Sequence, residues 1–149
     1  WPRRTPYTVV KTLRQRGCAL RVRREPALTV LTFKGPVQPG AVKTREEHET
    51  AVADADSLIQ VLGGLGFRVW FRCQKYREEF TIPGAVIAID ETPVGTFVEI
   101  EGTEETIRPV AEALGRTVDD FILDSYYRLF MTRRADARLS GDHMVFPAE

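Results

Sequence analysis

The sequence predicts an α+β fold built on an antiparallel sheet, and three observations support this prediction. Several segments alternate polar and apolar residues with a period of two and are rich in β-branched and aromatic residues, which is typical of strands. Turns that contain Gly and Pro separate many of these segments. Three segments with helical periodicity are inserted between the strands or follow them, and this order is typical of α+β domains.

The alternation predicts six strands, and a seventh segment has a weaker alternation. The six strands are residues 19–24, 28–34, 42–50, 68–80, 85–90 and 95–101, and the weaker one is 8–11. Because 68–80 is longer than an ordinary strand, we expect a bend or a bulge within it.

The three predicted helices are residues 54–66, 104–115 and 118–130. The second follows Thr103, which suits an N-cap, and has Glu104 and Glu105 in its first turn. Gly66 and Gly115 end the first two helices. The periodicity fades after residue 131, so the sequence predicts one domain over 1–131 and a loose C-terminal tail over 132–149.

Composition excludes several classes of protein. The chain has 149 residues, and its 21 Lys and Arg balance its 21 Asp and Glu. A general nucleic-acid or membrane-surface protein would show an excess of one sign. No apolar run approaches the ~20 residues of a membrane span, and the N-terminus does not have the pattern of a signal peptide. Cys18 and Cys73 are far apart, which favours two reduced thiols in a cytoplasmic protein.

Charged residues recur at every second position of the predicted strands. Since alternate side chains share one face of a strand, each set lies on one face. The basic set is Arg21, Arg23, Lys34, Lys43, Arg45, Lys75 and Arg77, and the acidic set is Glu47, Glu49, Asp90, Glu99 and Glu101.

Two interpretations of these charged faces are open. Each face could point to solvent, as one side of an antiparallel sheet often does. Alternatively, the helices cover the apolar outer faces, and the sheet curls into an eight-stranded type of barrel, a tunnel with the charges inside. Inward charges are costly unless they are paired or engaged by a ligand, so a sequence that places a dozen of them there must use them. We therefore favour the tunnel.

Both signs of charge suit a polyphosphate ligand. Arg and Lys neutralise phosphate oxygens, whereas carboxylates hold Mg²⁺ or Mn²⁺, which commonly bridge carboxylates to phosphates. These are the parts used for phosphoryl or nucleotidyl transfer.

Several sequence blocks in this order resemble the CYTH superfamily, the triphosphate tunnel metalloenzymes, which include class IV adenylate cyclases and thiamine triphosphatases. The resemblance covers about residues 13–130. The blocks are Cys18-Ala-Leu-Arg-Val-Arg, Leu31-Thr-Phe-Lys-Gly-Pro, Lys43-Thr-Arg-Glu-Glu-His-Glu, Lys75-Tyr-Arg, Ile89-Asp-Glu-Thr-Pro, Phe97-Val-Glu-Ile-Glu-Gly and Ser125-Tyr-Tyr-Arg-Leu.

The resemblance implies roles for individual residues. The residues implied to contact the triphosphate are Arg21, Arg23, Lys34, Arg45, Lys75 and Arg77. The residues implied to hold Mg²⁺ or Mn²⁺ are Glu47, Glu49, Asp90, Glu99 and Glu101. Lys75, Arg77 and Glu101 are the predicted catalytic residues. The family's first-strand motif, Glu-x-Glu-x-Lys, is not found, so the first strand is expected to be missing or diverged.

Three functions follow as expectations. The first is a metal-dependent triphosphatase that acts on inorganic tripolyphosphate or a small organic triphosphate. The second is a class IV adenylate cyclase, and the third is a polyphosphate- or nucleotide-binding module without catalysis. The expected partner is a small molecule that contains a triphosphate, with no nucleic acid and no membrane, and a homodimer is compatible with the sequence.

Overall fold

The computed structural model describes residues 3–4, 7–10, 13, 15–25, 27–137, 139 and 141–147. Among these residues the chain forms nine strands, three α-helices and one 3₁₀ turn, an α+β fold. In order they are β1 (Arg3–Arg4), β2 (Tyr7–Val10), β3 (Ala19–Arg24), β4 (Thr29–Lys34), β5 (Glu47–Val52), α1 (Ala55–Gly64), β6 (Val69–Phe71), β7 (Tyr76–Ile82), β8 (Ala85–Thr92), β9 (Gly95–Gly102), α2 (Glu104–Ala113), the 3₁₀ turn (Val118–Asp120) and α3 (Tyr126–Arg133).

The strands form two antiparallel sheets. One has the order β1-β7-β8-β9, and the other has the order β5-β4-β3-β2-β6. The N-terminal segment contributes to both, since Arg3 pairs with Arg77 and Val9 pairs with Phe71. In the described part of the chain, no ladder joins β5 to β9. The predicted closed barrel is therefore not confirmed, whereas the antiparallel α+β fold is.

Most predicted strands form within one or two residues of their predicted ends. The prediction for 42–50 is wrong over its first half, because β5 begins only at Glu47. Before it, the chain makes a long hairpin loop with a single bridge between Gln38 and Thr44. The predicted strand 68–80 is divided into β6 and β7, and Cys73 between them forms a parallel bridge with Met144.

The helices begin at capping residues. The Asp54 side chain accepts a hydrogen bond from the Ser57 amide at 2.6 Å and starts α1, while α2 follows Thr103 and lies against β9. The prediction of one helix over 118–130 is wrong in its first part. The 3₁₀ turn ends at Asp120, and α3 begins only after Ser125, whose Oγ accepts from the Arg128 amide at 3.3 Å. In the described segments, no helix has both the length and the apolar character that a bilayer crossing requires.

A small apolar core lies between β6, the β8–β9 turn and α3. Its buried members are Phe71, Cys73, Val94, Phe130 and Met144. The expectation of a loose tail is wrong for Met144, which is 0% exposed. Its backbone donates to the Arg72 carbonyl oxygen at 2.9 Å and accepts from the Gln74 amide at 2.7 Å. These hydrogen bonds to residues 72–74 fix the segment around Met144. Nothing in the sequence indicated them, because this stretch is polar and has no periodicity. The domain boundary at residue 131 stays a prediction.

Candidate functional site

The first charged face runs across β3, β4 and β5. The strand register places Arg21 opposite Thr32 and Thr32 opposite Glu49. Glu49 Oε1 accepts from Thr32 Oγ1 at 2.7 Å and pairs with Arg21 Nη2 at 3.1 Å. One step along the strands, Lys34 Nζ pairs with Glu47 Oε1 at 2.5 Å. The predicted basic and acidic residues of these strands therefore neutralise each other across the sheet.

The hydrogen bond from Thr32 lowers the pKa of Glu49, and the charges of Arg23 and Arg21 lower it further. Arg23 lies between two carboxylates, with Nε 3.2 Å from Glu25 Oε1 and Nη2 3.9 Å from Glu49 Oε2. Partial burial lowers the pKa of Lys34. Arg21 and Lys34 are thus held close to carboxylates that are themselves about 40% exposed.

The second charged face lies on β7, β8 and β9 and is centred on Asp90, which is 0% exposed. Asp90 Oδ2 accepts from Lys75 Nζ at 2.6 Å, and Lys75 is only 3% exposed. Arg77 makes a bidentate contact, with Nε 2.6 Å from Oδ1 and Nη2 2.7 Å from Oδ2 of Asp90. Tyr126 of α3 donates its hydroxyl to Asp90 Oδ2 at 2.5 Å.

Burial alone would raise the pKa of Asp90, but the hydrogen bonds and charges of Arg77 and Lys75 outweigh it and lower the pKa to about 2. Burial, together with the charge of Glu99 and the bond to Asp90, raises the pKa of Tyr126. At neutral pH Asp90 is therefore a carboxylate and Tyr126 a phenol, so the hydroxyl acts as a donor to a charged acceptor.

Three further carboxylates surround Arg77 on the more open side of this face. Its guanidinium bonds to Glu99 and lies 3.3 Å from Glu79 Oε1 and 3.7 Å from Glu101 Oε1. Glu99 and Glu101 are progressively more open to solvent, with side-chain exposures of 33% and 65%. Arg77 therefore connects a buried ion pair to carboxylates that solvent can reach.

Two residues, Lys43 and Cys73, are influenced by charges from both charged faces. Partial burial and the charges of Arg45 and Lys34 lower the pKa of Lys43, in the hairpin loop before β5, while the charge of Glu99 on the other sheet raises it.

The second link is Cys73. Burial raises the pKa of its thiol to about 12, and the charges that act on it include Lys75, Asp90 and Glu99 from one face and Arg21 from the other. The two faces therefore lie within electrostatic range of each other.

Most of the predicted site residues lie on these two faces. In the described ranges, no group of three or more His, Cys, Asp or Glu side chains is arranged to hold a metal ion. Asp90, predicted as a metal ligand, is enclosed by the nitrogen atoms of Lys75 and Arg77. A cavity of about 320 Å³ lies elsewhere, beside Leu28 at the β3–β4 turn.

Sequence reasoning missed two residues of the site. Thr32 is 0% exposed and bonds to Glu49, and its position on the face of Lys34 could have indicated this. Tyr126 lies within the predicted helix 118–130. Its spacing gave no sign of a polar partner, because Asp90 is 36 residues away in sequence.

The sequence profile of the CYTH domain matches residues 7–120. This chain belongs to the CYTH domain family. The order of the charged blocks in the sequence had indicated this family, and the match confirms it.

Comparisons with individual proteins agree with this assignment. The chain is 29% identical over 130 residues to "Putative adenylate cyclase MJ0240" of Methanocaldococcus jannaschii, with 80% of this chain and 74% of that protein covered. The PH1819 protein of Pyrococcus horikoshii OT3 has a similar structure, with a TM-score of 0.69, 27% identity, and coverage of 90% of this chain and 87% of that one.

A more distant structure shows a similarity of fold alone. HpAC1 from Hippeastrum has a TM-score of 0.61 at 16% identity, with 88% of this chain and 82% of that one covered. That protein is described as a putative adenylyl cyclase with a dominant triphosphatase activity. Members of this fold thus carry names from both cyclase and triphosphatase chemistry.

Proposed function

We propose that this CYTH domain binds a triphosphate between its two charged faces and hydrolyses it, with inorganic tripolyphosphate or a small organic triphosphate as substrate. The observation that supports the proposal is that two charged faces, with Arg21 on one and Lys75 on the other, both act electrostatically on Cys73. A linear triphosphate has several negative charges spaced along one axis, and basic groups on two opposed faces can neutralise both sides of it.

The ion pairs divide the basic residues into two groups. Arg21, Arg23 and Lys34 pair with carboxylates that are partly exposed, so a phosphate oxygen can replace the carboxylate at modest cost. Lys75 and Arg77 are held by the buried Asp90, and breaking that arrangement would leave a charge buried without its partner. The first group would therefore exchange partners when the anion binds, whereas the second would keep its position.

A divalent cation fits the donor set only together with the anion. Mg²⁺ and Mn²⁺ prefer oxygen ligands and are commonly held by one or two carboxylates plus substrate phosphates. Glu99 and Glu101 supply such oxygens on the open side of the second face, and Glu47 and Glu49 supply them on the first. A bound metal ion would add neutralisation of the phosphate oxygens. Lys34 pairs with Glu47, and Arg21 pairs with Glu49. An anion that binds to Lys34 and Arg21 would therefore free both carboxylates.

The chain's own residues would then act by positioning and by charge. In hydrolysis, a water oxygen bonds to the terminal phosphorus as the bond to the leaving diphosphate oxygen breaks. Arg77 and Lys75 have fixed positions from which they can neutralise charge that develops on the phosphoryl oxygens. Arg21, Arg23, Lys34 and Arg45 would hold the remaining phosphates in line.

A second function, adenylate cyclisation, is favoured by the name of the Methanocaldococcus jannaschii relative. In that reaction the 3′-hydroxyl of ATP attacks the α-phosphorus and diphosphate leaves. The same basic residues could hold the nucleotide's phosphates, and the two reactions differ in the phosphorus that is attacked.

Phosphorus NMR separates these functions. The protein is incubated with Mg²⁺ or Mn²⁺ and with tripolyphosphate, ATP or thiamine triphosphate in parallel. We expect orthophosphate and diphosphate from tripolyphosphate or orthophosphate from an organic triphosphate. Cyclic AMP with diphosphate would favour the cyclase, and tight binding without products would favour a binding module. If no triphosphate binds or reacts, the proposal is wrong.

A further inference from the structure

The carboxylate of Asp90 is enclosed by hydrogen-bond donors from three side chains. An ionised carboxylate offers about four lone-pair positions to donors. From the described residues, four hydrogen bonds reach it, three on Oδ2 from Lys75, Arg77 and Tyr126 and one on Oδ1 from Arg77, all between 2.5 and 2.7 Å. Because Asp90 already carries two cationic partners, Lys75 and Arg77, a metal-ligand role would bring a third cation to the same buried carboxylate.

We propose instead that Asp90 and Tyr126 are positioning residues, which hold Lys75 and Arg77 at the place where they contact the triphosphate. This inference rests on the proposed function, since it concerns the same site. It replaces the metal role expected for Asp90 and adds a residue from α3 to a site built otherwise from strands.

The ring of Tyr126 is fixed independently of its hydroxyl. It packs edge-on against Phe97 of β9, with ring centroids 5.7 Å apart and an interplanar angle of 78°. Lys75 Nζ lies 4.9 Å from the centroid of the same ring. Ser125 caps α3 immediately before Tyr126 and sets where the helix begins. The direction of the hydroxyl is therefore determined by packing and by the start of the helix.

Lys75 and Arg77 need such a fixed acceptor because each has another carboxylate within reach. Lys75 Nζ lies 3.8 Å from Glu99 Oε2, and Arg77 contacts Glu99 as well as Glu79. Without the tyrosine hydroxyl, Asp90 Oδ2 would lose one of its three donors, and the lysine and arginine could shift on the carboxylate.

The variant that isolates the hydroxyl is Tyr126→Phe, which keeps the ring. The matched control is Tyr127→Phe on the same helix, whose ring packs on Trp70 and Phe71 instead. Binding of tripolyphosphate without metal is measured by calorimetry for both variants, each alone and combined with Asp90→Asn. The absence of metal keeps turnover out of the measurement.

If Tyr126 acts through Asp90, Tyr126→Phe weakens tripolyphosphate binding about tenfold in the otherwise natural chain. In a chain that already carries Asp90→Asn, the same substitution has no further effect on the affinity. Tyr127→Phe should leave the affinity within about twofold of the natural value. An equal loss in both backgrounds, or no loss at all, would overturn the inference and leave the proposed function standing. If the natural chain does not bind tripolyphosphate, both are wrong.

A second measurement covers the case in which Asp90→Asn does not fold. In protein labelled with ¹³C at the tyrosine ring carbon that carries the hydroxyl, the Tyr126 signal is identified by its loss in Tyr126→Phe. Tripolyphosphate should shift this signal more than an equal concentration of orthophosphate does, because only the longer anion reaches both charged faces. A signal that moves with neither anion would contradict a role for Tyr126 in positioning the phosphate contacts.

Discussion

Replacement of Lys75 by methionine tests whether the second charged face is anchored by a buried ion pair. Methionine keeps most of the aliphatic stem and removes the ammonium group. Lys75 Nζ lies 2.6 Å from Asp90 Oδ2, and the two side chains are 4% and 0% exposed. Removal of one partner of a buried pair costs about 3–5 kcal/mol when the other charge is left alone. Because Arg77 and Tyr126 still bond to Asp90, we expect a smaller loss of about 2–3 kcal/mol in the free energy of unfolding.

The matched control is Lys34→Met in the first charged face. Lys34 and Glu47 also form an ion pair, but their side chains are 22% and 38% exposed. An exposed pair contributes about 0–1 kcal/mol, so this variant should be close to the natural protein in stability. Both variants should bind tripolyphosphate less tightly, since both lose a basic group of the proposed site.

Urea unfolding distinguishes the two pairs. With a denaturant dependence of about 2 kcal/mol per molar, Lys75→Met should lower the urea midpoint by about 1–1.5 M and Lys34→Met by less than about 0.5 M. If the two variants shift the midpoint equally, Lys75 and Asp90 do not form a buried anchor, and the division of the basic residues into fixed and exchangeable groups fails.

Three further predictions concern single residues. The depressed pKa of Asp90, about 2 against an ordinary 3.8, contributes about 2 kcal/mol of stability that is present above pH 4 and is lost as the pH falls towards 2. In urea unfolding across this pH range, Asp90→Asn should lose less stability than the natural protein. If the variant and the natural protein have the same pH dependence, the pKa of Asp90 is not depressed. Glu101→Gln should abolish metal-dependent turnover with little change in melting temperature, because the side chain is 65% exposed; full turnover would contradict its predicted role. Arg23→Ala should weaken triphosphate binding by about tenfold or more and orthophosphate binding much less, as measured by calorimetry. Equal losses of affinity for the two anions would argue that Arg23 does not hold the phosphate chain.

Much of the sheet could be predicted from the sequence because alternation is a local signal. Residues 20–23 alternate strictly between apolar and charged side chains, and β3 forms there over Ala19–Arg24. The same alternation placed Arg21 and Arg23 on one face. It could not supply the partners of these residues, since the pairing of Arg21 with Glu49 depends on the register of three strands.

The errors arose where distant parts of the chain determine the structure. The charged alternation of 43–49 suggested a strand, yet the chain has a hairpin loop there until β5 begins at Glu47. The apolar residues of 118–130 suggested one helix, yet α3 begins only after Ser125. Met144 is buried through hydrogen bonds to 72–74, and Tyr126 reaches Asp90 across 36 residues. Neither contact has a local pattern.

A crystal structure of the protein with bound tripolyphosphate tests most directly the claim that the two charged faces enclose one ligand. We expect phosphate oxygens within hydrogen-bonding distance of Arg21 on one sheet and of Arg77 on the other, with Asp90 still bonded to Lys75, Arg77 and Tyr126. Tripolyphosphate bound to the outer surface, or to one sheet alone, would contradict it.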